Sequence, residues 1–204
     1  MTALPLPSAD SVVHRYWNAE LGAHIVKVLP GEHYVTRNTD EVISTVLGSC
    51  VAACMRDPVA GVGGINHFML PGEAGDAWGS ANRSLRYGHV AMERLINDLL
   101  SAGARRERLE TKLFGGANMA RMRMQIGDAN VQFAHAFLSA EGLPVLAEDV
   151  GGHAARRILY FPATGRVMMQ ALRREPDLRI FNSERFYRAA LAQRDTDGSV
   201  ELFE

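Results

Sequence analysis

The sequence predicts an α+β fold. Three observations predict it: many short runs rich in β-branched and aromatic residues, turn signals that join most of them as hairpins, and two long helical patterns set well apart in the chain. A doubly wound parallel sheet would instead alternate strand and helix throughout. The chain has 204 residues, 47% of them hydrophobic and 22% charged. That is ordinary globular composition, and the length suits one domain with terminal additions.

The elements follow in order. Residues 1–22 read as a loose N-terminal arm, with Val12–Trp17 as its candidate helical turn. HIVKVLPGEHYVT, from His24 to Thr36, reads as two short strands about a turn at Pro30-Gly31. Glu41–Leu47 is a further β-branched run leading into Gly48-Ser49-Cys50. Val51–Arg56 and Val62–Leu70 are apolar runs separated by Asp57-Pro58-Val59-Ala60, where Asp-Pro opens a turn, so they read as a hairpin. Residues 71–84 form a Gly/Ser-rich loop in which Asn82 or Ser84 can cap a helix over 85–102. Leu85, Met92, Leu95, Ile96, Leu99 and Leu100 give that helix its apolar face, and Gly103 stops it. Thr111–Phe114 is a short strand ending at Gly115-Gly116. Asp128 caps a second helix over 129–141, with Val131, Phe133, Ala134, Phe137 and Leu138 inward and Gly142 at its end. Strands are expected over 144–149, 156–161 and 166–172, and an amphipathic helix over Asn182–Gln193. This divides the chain into an arm (1–22), a core domain (23–173) and a C-terminal extension (174–204).

Charge and composition exclude several functions. The formal net charge is −1, so no basic excess points to nucleic acid. The clusters Arg105, Arg106, Arg108 and Arg156, Arg157 read as a solvated face. The N-terminus lacks a basic segment followed by a long apolar one, and no uncharged run approaches the length of about 18 residues that a membrane helix needs. The seven histidines do not fall at ligand spacing, so neither a metal nor a cofactor is expected. Gly115-Gly116 and Gly151-Gly152 lack the Lys-Ser/Thr of a phosphate loop and read as tight turns. Met119, Met122 and Met124 read as core filling, with a helix-docking surface as the second reading. The two cysteines, Cys50 and Cys54, would lie roughly 13 Å apart on one strand, too far to bridge, which fits a reducing cytoplasm.

The segment that carries chemistry is STVLGSCVAACMRDPVAGVGGINHFMLP, Ser44 to Pro71. If the hairpin turn centres on Pro58-Val59, Cys50 stands directly opposite His67. Opposed residues share a sheet face with Cβ atoms about 4.5–5.5 Å apart, within reach of a thiol and an imidazole. A longer loop or a bulge at Gly63-Gly64 would shift that register. An isolated cysteine followed by Val and Ala is ordinarily an inert core residue, and a histidine on an apolar strand is ordinarily a satisfied one. Paired, they form a thiolate nucleophile and its base, able to attack a carboxamide carbon. The backbone N–H groups near Gly48, Ser49 and Cys50 are candidate oxyanion donors. Cys54 shares the Cys50 face, but its register partner, Gly63, offers no base.

These residues also resemble the CheD family of chemoreceptor glutamine deamidases. The similarity runs through LPGEHYVT (29–36), LGSCV (47–51), INHFMLP (65–71), RYGHVAM (86–92), KLFGGANM (112–119), IGDAN (126–130) and DVGGHAARRILYFPATGRV (149–167). It spans residues 24–172. The resemblance implies a single-domain three-layer α/β/β sandwich, mostly antiparallel, and a Cys-His-Thr triad. Cys50 and His67 match its first two members. The third lies six residues before the cysteine, which is Ser44; Thr45 is its neighbour, and Ser44 is the favoured reading. The implied substrates are glutamines on the cytoplasmic helical bundle of methyl-accepting chemotaxis receptors. For some members the implied partners include a CheC-type phosphatase. Two rival readings share these residues: a non-catalytic chemotaxis adaptor with Cys50 merely buried, and a Cys-His peptidase or transamidase acting on another substrate.

Overall fold

A computed structural model describes residues 14–70, 79–118 and 126–172, with the side chains of the first helix described from residue 86 onward. The methionines at 119, 122 and 124, the loop residues 71–78, the side chain of Leu85 and the helix expected over Asn182–Gln193 lie outside the described residues.

Among the described residues, ten strands form two five-stranded sheets. The first has the order β1(His14–Asn18), β2(Ala23–Lys27), β4(Glu41–Leu47), β9(Ala155–Phe161), β10(Arg166–Leu172). The second has the order β3(His33–Thr36), β6(Val62–Asn66), β5(Val51–Asp57), β7(Glu110–Gly115), β8(Val145–Val150). The β2–β4 and β7–β8 pairs are parallel and the other pairs antiparallel. Two helices, α1(Gly79–Ser101) and α2(Ile126–Ala140), complete the described fold.

The layers follow from strand alternation. Along β5, Val51, Ala53 and Met55 face one way, into a core shared with Met92, Leu95, Ile96 and Leu99 of α1 and Phe133, Ala134 and Phe137 of α2. Cys50, Ala52 and Cys54 face the other way, into a core shared with Ile43 and Leu47 of β4 and Ile158 and Tyr160 of β9. Because side chains alternate with a period of two, a strand apolar on both faces must be covered on both. The second sheet is therefore the middle layer, with helices on one side and the first sheet on the other. This is the expected α/β/β order within one α+β domain.

The structure corrects four local expectations. Residues 14–18 are not part of a loose arm or helical turn. They form edge strand β1, paired antiparallel with β2, and Arg15 reaches Glu41 at 3.2 Å. The two strands about Pro30-Gly31 do not pair with each other: β2 lies beside β4 and β3 beside β6, in different sheets. Helix α1 begins at Gly79, so Asn82 and Ser84 lie within it rather than capping it. The β5–β6 hairpin pairs Asp57 with Val62, so its loop is the four residues Pro58–Gly61 and the register moves by two.

That loop is fastened by Asp57, which is buried. Its carboxylate accepts the N–H groups of Val59 and Ala60 at 2.9 and 3.0 Å and that of Arg105 at 2.8 Å. It also accepts two bonds from the Arg108 guanidinium, at 2.8 and 2.6 Å. Burial alone would raise the pKa of this acid. The Arg108 guanidinium and the three N–H groups outweigh burial and hold the carboxyl well below the usual carboxylate range. A depressed folded-state pKa contributes stability that is fully present above the unfolded value near 4 and is lost as pH falls below it. Asp57→Ala should cost about 2–4 kcal/mol at pH 7. Urea titrations should show that the variant loses less stability than the wild type between pH 7 and pH 3.

Candidate active site

The candidate site lies at one rim of the sandwich. The C-terminal ends of β2, β4, β6 and β7 meet there with the N-terminal ends of β5 and β9. Near this rim β5 and β6 part. Their ladder runs from Asp57–Val62 to Cys54–Ile65 and resumes as a single bridge between Val51 and Phe68. At the gap, the Asn66 side chain takes over the backbone's role. Its Oδ1 accepts the Ala53 N–H at 2.9 Å, and its Nδ2 donates to the Ala91 carbonyl of α1 at 3.1 Å. His67 then bonds sideways to the loop before β3: its N–H donates to Glu32 O at 2.9 Å, and its carbonyl accepts the Gly31 N–H at 2.7 Å.

In this register His67 stands opposite Ala52, and Cys50 is its diagonal neighbour. The expected direct opposition is corrected by two residues. A shift of two preserves the face, so Cys50 and His67 still point into the same inter-sheet core, and diagonal neighbours remain within reach of long side chains. Both residues are buried.

The hydroxyl that meets His67 belongs to Thr45. Its Oγ1 lies 2.8 Å from His67 Nδ1 and 2.7 Å from the Val28 carbonyl oxygen. A hydroxyl has one proton, and a carbonyl can only accept, so that proton goes to Val28. Thr45 must then accept from the ring, which assigns the proton of the neutral imidazole to Nδ1 and makes Nε2 its proton acceptor. Ser44 does not take the place beside His67 that was expected of it, for a simple reason. Strand alternation puts Thr45 on the buried side with Ile43 and Leu47, and Ser44 on the outer side with Val42. Thr45→Val should lower kcat about 10²-fold, because the tautomer and ring orientation are lost. Ser44→Ala should stay within about twofold. A steady-state comparison of the two variants checks this.

The turn Gly48-Ser49-Cys50 is held by its carbonyls. Gly48 O accepts the Ala117 N–H at 2.7 Å, Ser49 O accepts Asn130 Nδ2 at 2.7 Å, and Cys50 O accepts the Gly116 N–H at 2.7 Å. In a planar trans peptide the N–H points opposite to the C=O. The N–H groups of Ser49 and Cys50 are therefore turned away from the Gly116–Ala117 loop and from Asn130. Arg156, also buried, braces the outside of that loop by donating to the carbonyls of Gly115, Asp149 and Gly151. The burial of Cys54 pushes its thiol well up, and Lys112 offsets only part of that.

A cavity of about 500 Å³ opens beside the site, with Thr45 and His67 in its wall and Ser44, Lys27 and Arg157 among its other lining residues. Motif reading placed Thr45 behind Ser44 and gave Asn130 no role. Thr45 was detectable from the alternation of EVISTVL, and Asn130 from nothing more local than IGDAN itself.

A family model described as CheD chemotactic sensory transduction matches residues 69–171. A protein of Rhodopseudomonas palustris (strain BisA53) named "Probable chemoreceptor glutamine deamidase CheD" is 51% identical over 191 residues, covering 94% of this chain and 90% of its own. Proteins of the same name from Saccharophagus degradans and Hahella chejuensis are 49% and 44% identical over 199 and 201 residues. Those alignments cover 94% and 98% of this chain, and 90% and 94% of the relatives. The chain belongs to the CheD family.

Proposed function

We propose that this protein hydrolyses glutamine side chains of chemoreceptors to glutamate, with Cys50 as nucleophile, His67 as base and Thr45 as the residue that orients His67. The observation that carries the reading is the Thr45–His67 bond, because it assigns the ring's proton-accepting nitrogen in a core that also holds a thiol on the same face. The names of the similar proteins supply the substrate class.

The chemistry follows from these groups. His67 Nε2 takes the thiol proton and the sulfur attacks the carboxamide carbon. The N–H groups of Ser49 and Cys50 serve as donors to the oxygen that gains charge. Collapse of the tetrahedral adduct breaks the C–N bond, and the His67 proton leaves with ammonia. Water, deprotonated by His67, then cleaves the thioester, giving a carboxylic acid and the free thiol. The net reaction consumes one water and releases one ammonia per glutamine. The protein's place of action in this reading is the cytoplasm, on the receptor's helical bundle. Among the described residues no helix is long and apolar enough to cross a membrane. A CheC-type phosphatase is the second partner of the reading, and co-elution on a sizing column tests it.

The deciding experiment is intact-mass analysis of a receptor cytoplasmic fragment incubated with the enzyme. Deamidation adds about 1 Da per site and releases matching ammonia, since an amide nitrogen is exchanged for an acid oxygen. Fragmentation would mark a peptidase, and an unchanged mass would mark an adaptor.

A further inference from the structure

We infer that Asn130 is a positioning residue of the catalytic site, a clasp that sets the nucleophile turn against the segment bearing the base and fixes the direction of the Cys50 N–H. The inference rests on the deamidase reading for its substrate, but not for its geometry. Asn130 lies one turn into α2 and is buried. Its amide makes two bonds to two different segments. Nδ2 donates to Ser49 O at 2.7 Å, one peptide before the nucleophile. Oδ1 accepts the Leu70 N–H at 2.8 Å, three residues beyond His67. These segments also meet at the Val51–Phe68 bridge and at a 3.6 Å contact from Ser49 Oγ to Met69 Sδ.

The first bond matters most. Drawing the Ser49 carbonyl toward α2 turns the 49–50 peptide so that the Cys50 N–H faces the opposite way. An oxyanion donor works only where it already points at the developing charge. A rotation of that peptide would displace both the sulfur and the donor, and misplacement by about 1 Å can cost about 10²-fold in rate. The helix is a rigid mount for such a clasp. Asn118 ties its start, accepting the Gly127 N–H at 3.1 Å and donating to Asp128 at 2.8 Å, and Phe133 packs edge-on against Phe68 at 5.8 Å.

The test compares full-length Asn130→Asp, Asn130→Ala and Asp57→Ala with the wild type. Asn130→Asp keeps the acceptor for Leu70 and removes the donor to Ser49. Asp57→Ala perturbs the far end of β5, about 23 Å away at about 3.3 Å per residue, and reports what lost stability alone does to rate. Each is assayed below its own melting transition for kcat, KM and the pH dependence of Cys50 alkylation by iodoacetamide. The expected result is that Asn130→Asp loses about 10²-fold in kcat with KM within about threefold. Its alkylation profile moves, while Asp57→Ala keeps both kcat and profile. The inference is overturned if Asn130→Asp retains kcat within about threefold and an unmoved alkylation profile, or if Asp57→Ala at matched melting temperature loses as much. A wild type that releases no ammonia yet shows a Cys50 profile sensitive to Asn130 would remove the deamidase reading and leave the clasp.

Discussion

Cys50→Ala protein is expected to release no measurable ammonia from a receptor fragment, a fall of at least about 10⁴-fold in kcat, while melting within a few degrees of the wild type. In the proposed mechanism the sulfur forms the covalent intermediate, so the expected activity loss is large. The stability loss is small because only one atom leaves a packed core, which costs about 1 kcal/mol. Cys54 is the internal control. It lies four residues further along the chain on the same face, in the same core, and is buried as Cys50 is. Burial holds its thiol in the protonated form. Cys54→Ala should therefore keep activity within about threefold, and iodoacetamide should label Cys50 and spare Cys54. His67→Ala should resemble Cys50→Ala, and the double variant should be little worse than either single one, since residues of one catalytic unit are not additive. Ammonia release measured beside calorimetric melting separates the outcomes. Activity surviving in Cys50→Ala would remove the nucleophile from the mechanism.

How far the sequence reveals this site depends on the range of the interactions involved. Strand β4 was legible to the residue, because EVISTVL is rich in β-branched residues and bounded by polar and glycine residues. The faces of Cys50 and His67 were legible too, since face depends only on parity. The register was not: Asp57 builds a four-residue loop by binding Val59, Ala60 and Arg108, and Arg108 lies 51 positions away. Thr45 illustrates the same division. Its side of the strand follows from alternation, but its partnership with His67 requires knowing that β4 and β6 belong to facing sheets. The pairing of β3 with β6 rather than with β2, and the bond from Asn130 to Ser49 across 81 positions, leave no trace in local periodicity. Long-range hydrogen bonds of this kind place the candidate catalytic groups, whereas the apolar pattern places the layers.

Gly115→Ala is expected to lower stability by about 3–5 kcal/mol and the melting temperature by about 10–15 °C. Two costs combine. Gly115 has φ of +112°, a backbone conformation that side chains with a Cβ rarely adopt. A Cβ there would also stand 2.1 Å from the Cys50 carbonyl oxygen and 3.2 Å from the Val51 Cα, both backbone atoms with no freedom to swing aside. That carbonyl is the acceptor for the Gly116 N–H, and the Gly115 carbonyl receives Gly151 N–H and Arg156, so the clash falls where the loops around Cys50 are tied together. Gly142→Ala separates the two costs. Its φ is +66°, but nothing lies within 4 Å of the added carbon, so only the backbone term remains, about 1 kcal/mol. The folded fraction of Gly115→Ala must move the Cys50 carbonyl to accommodate the methyl group, and with it the proposed nucleophile. Its kcat should therefore fall by at least about tenfold even well below the transition, whereas Gly142→Ala should retain full activity. Paired melting curves and initial rates at 20 °C distinguish these results, and equal stability in the two variants would mean that the Gly115–Cys50 contact does not constrain the site.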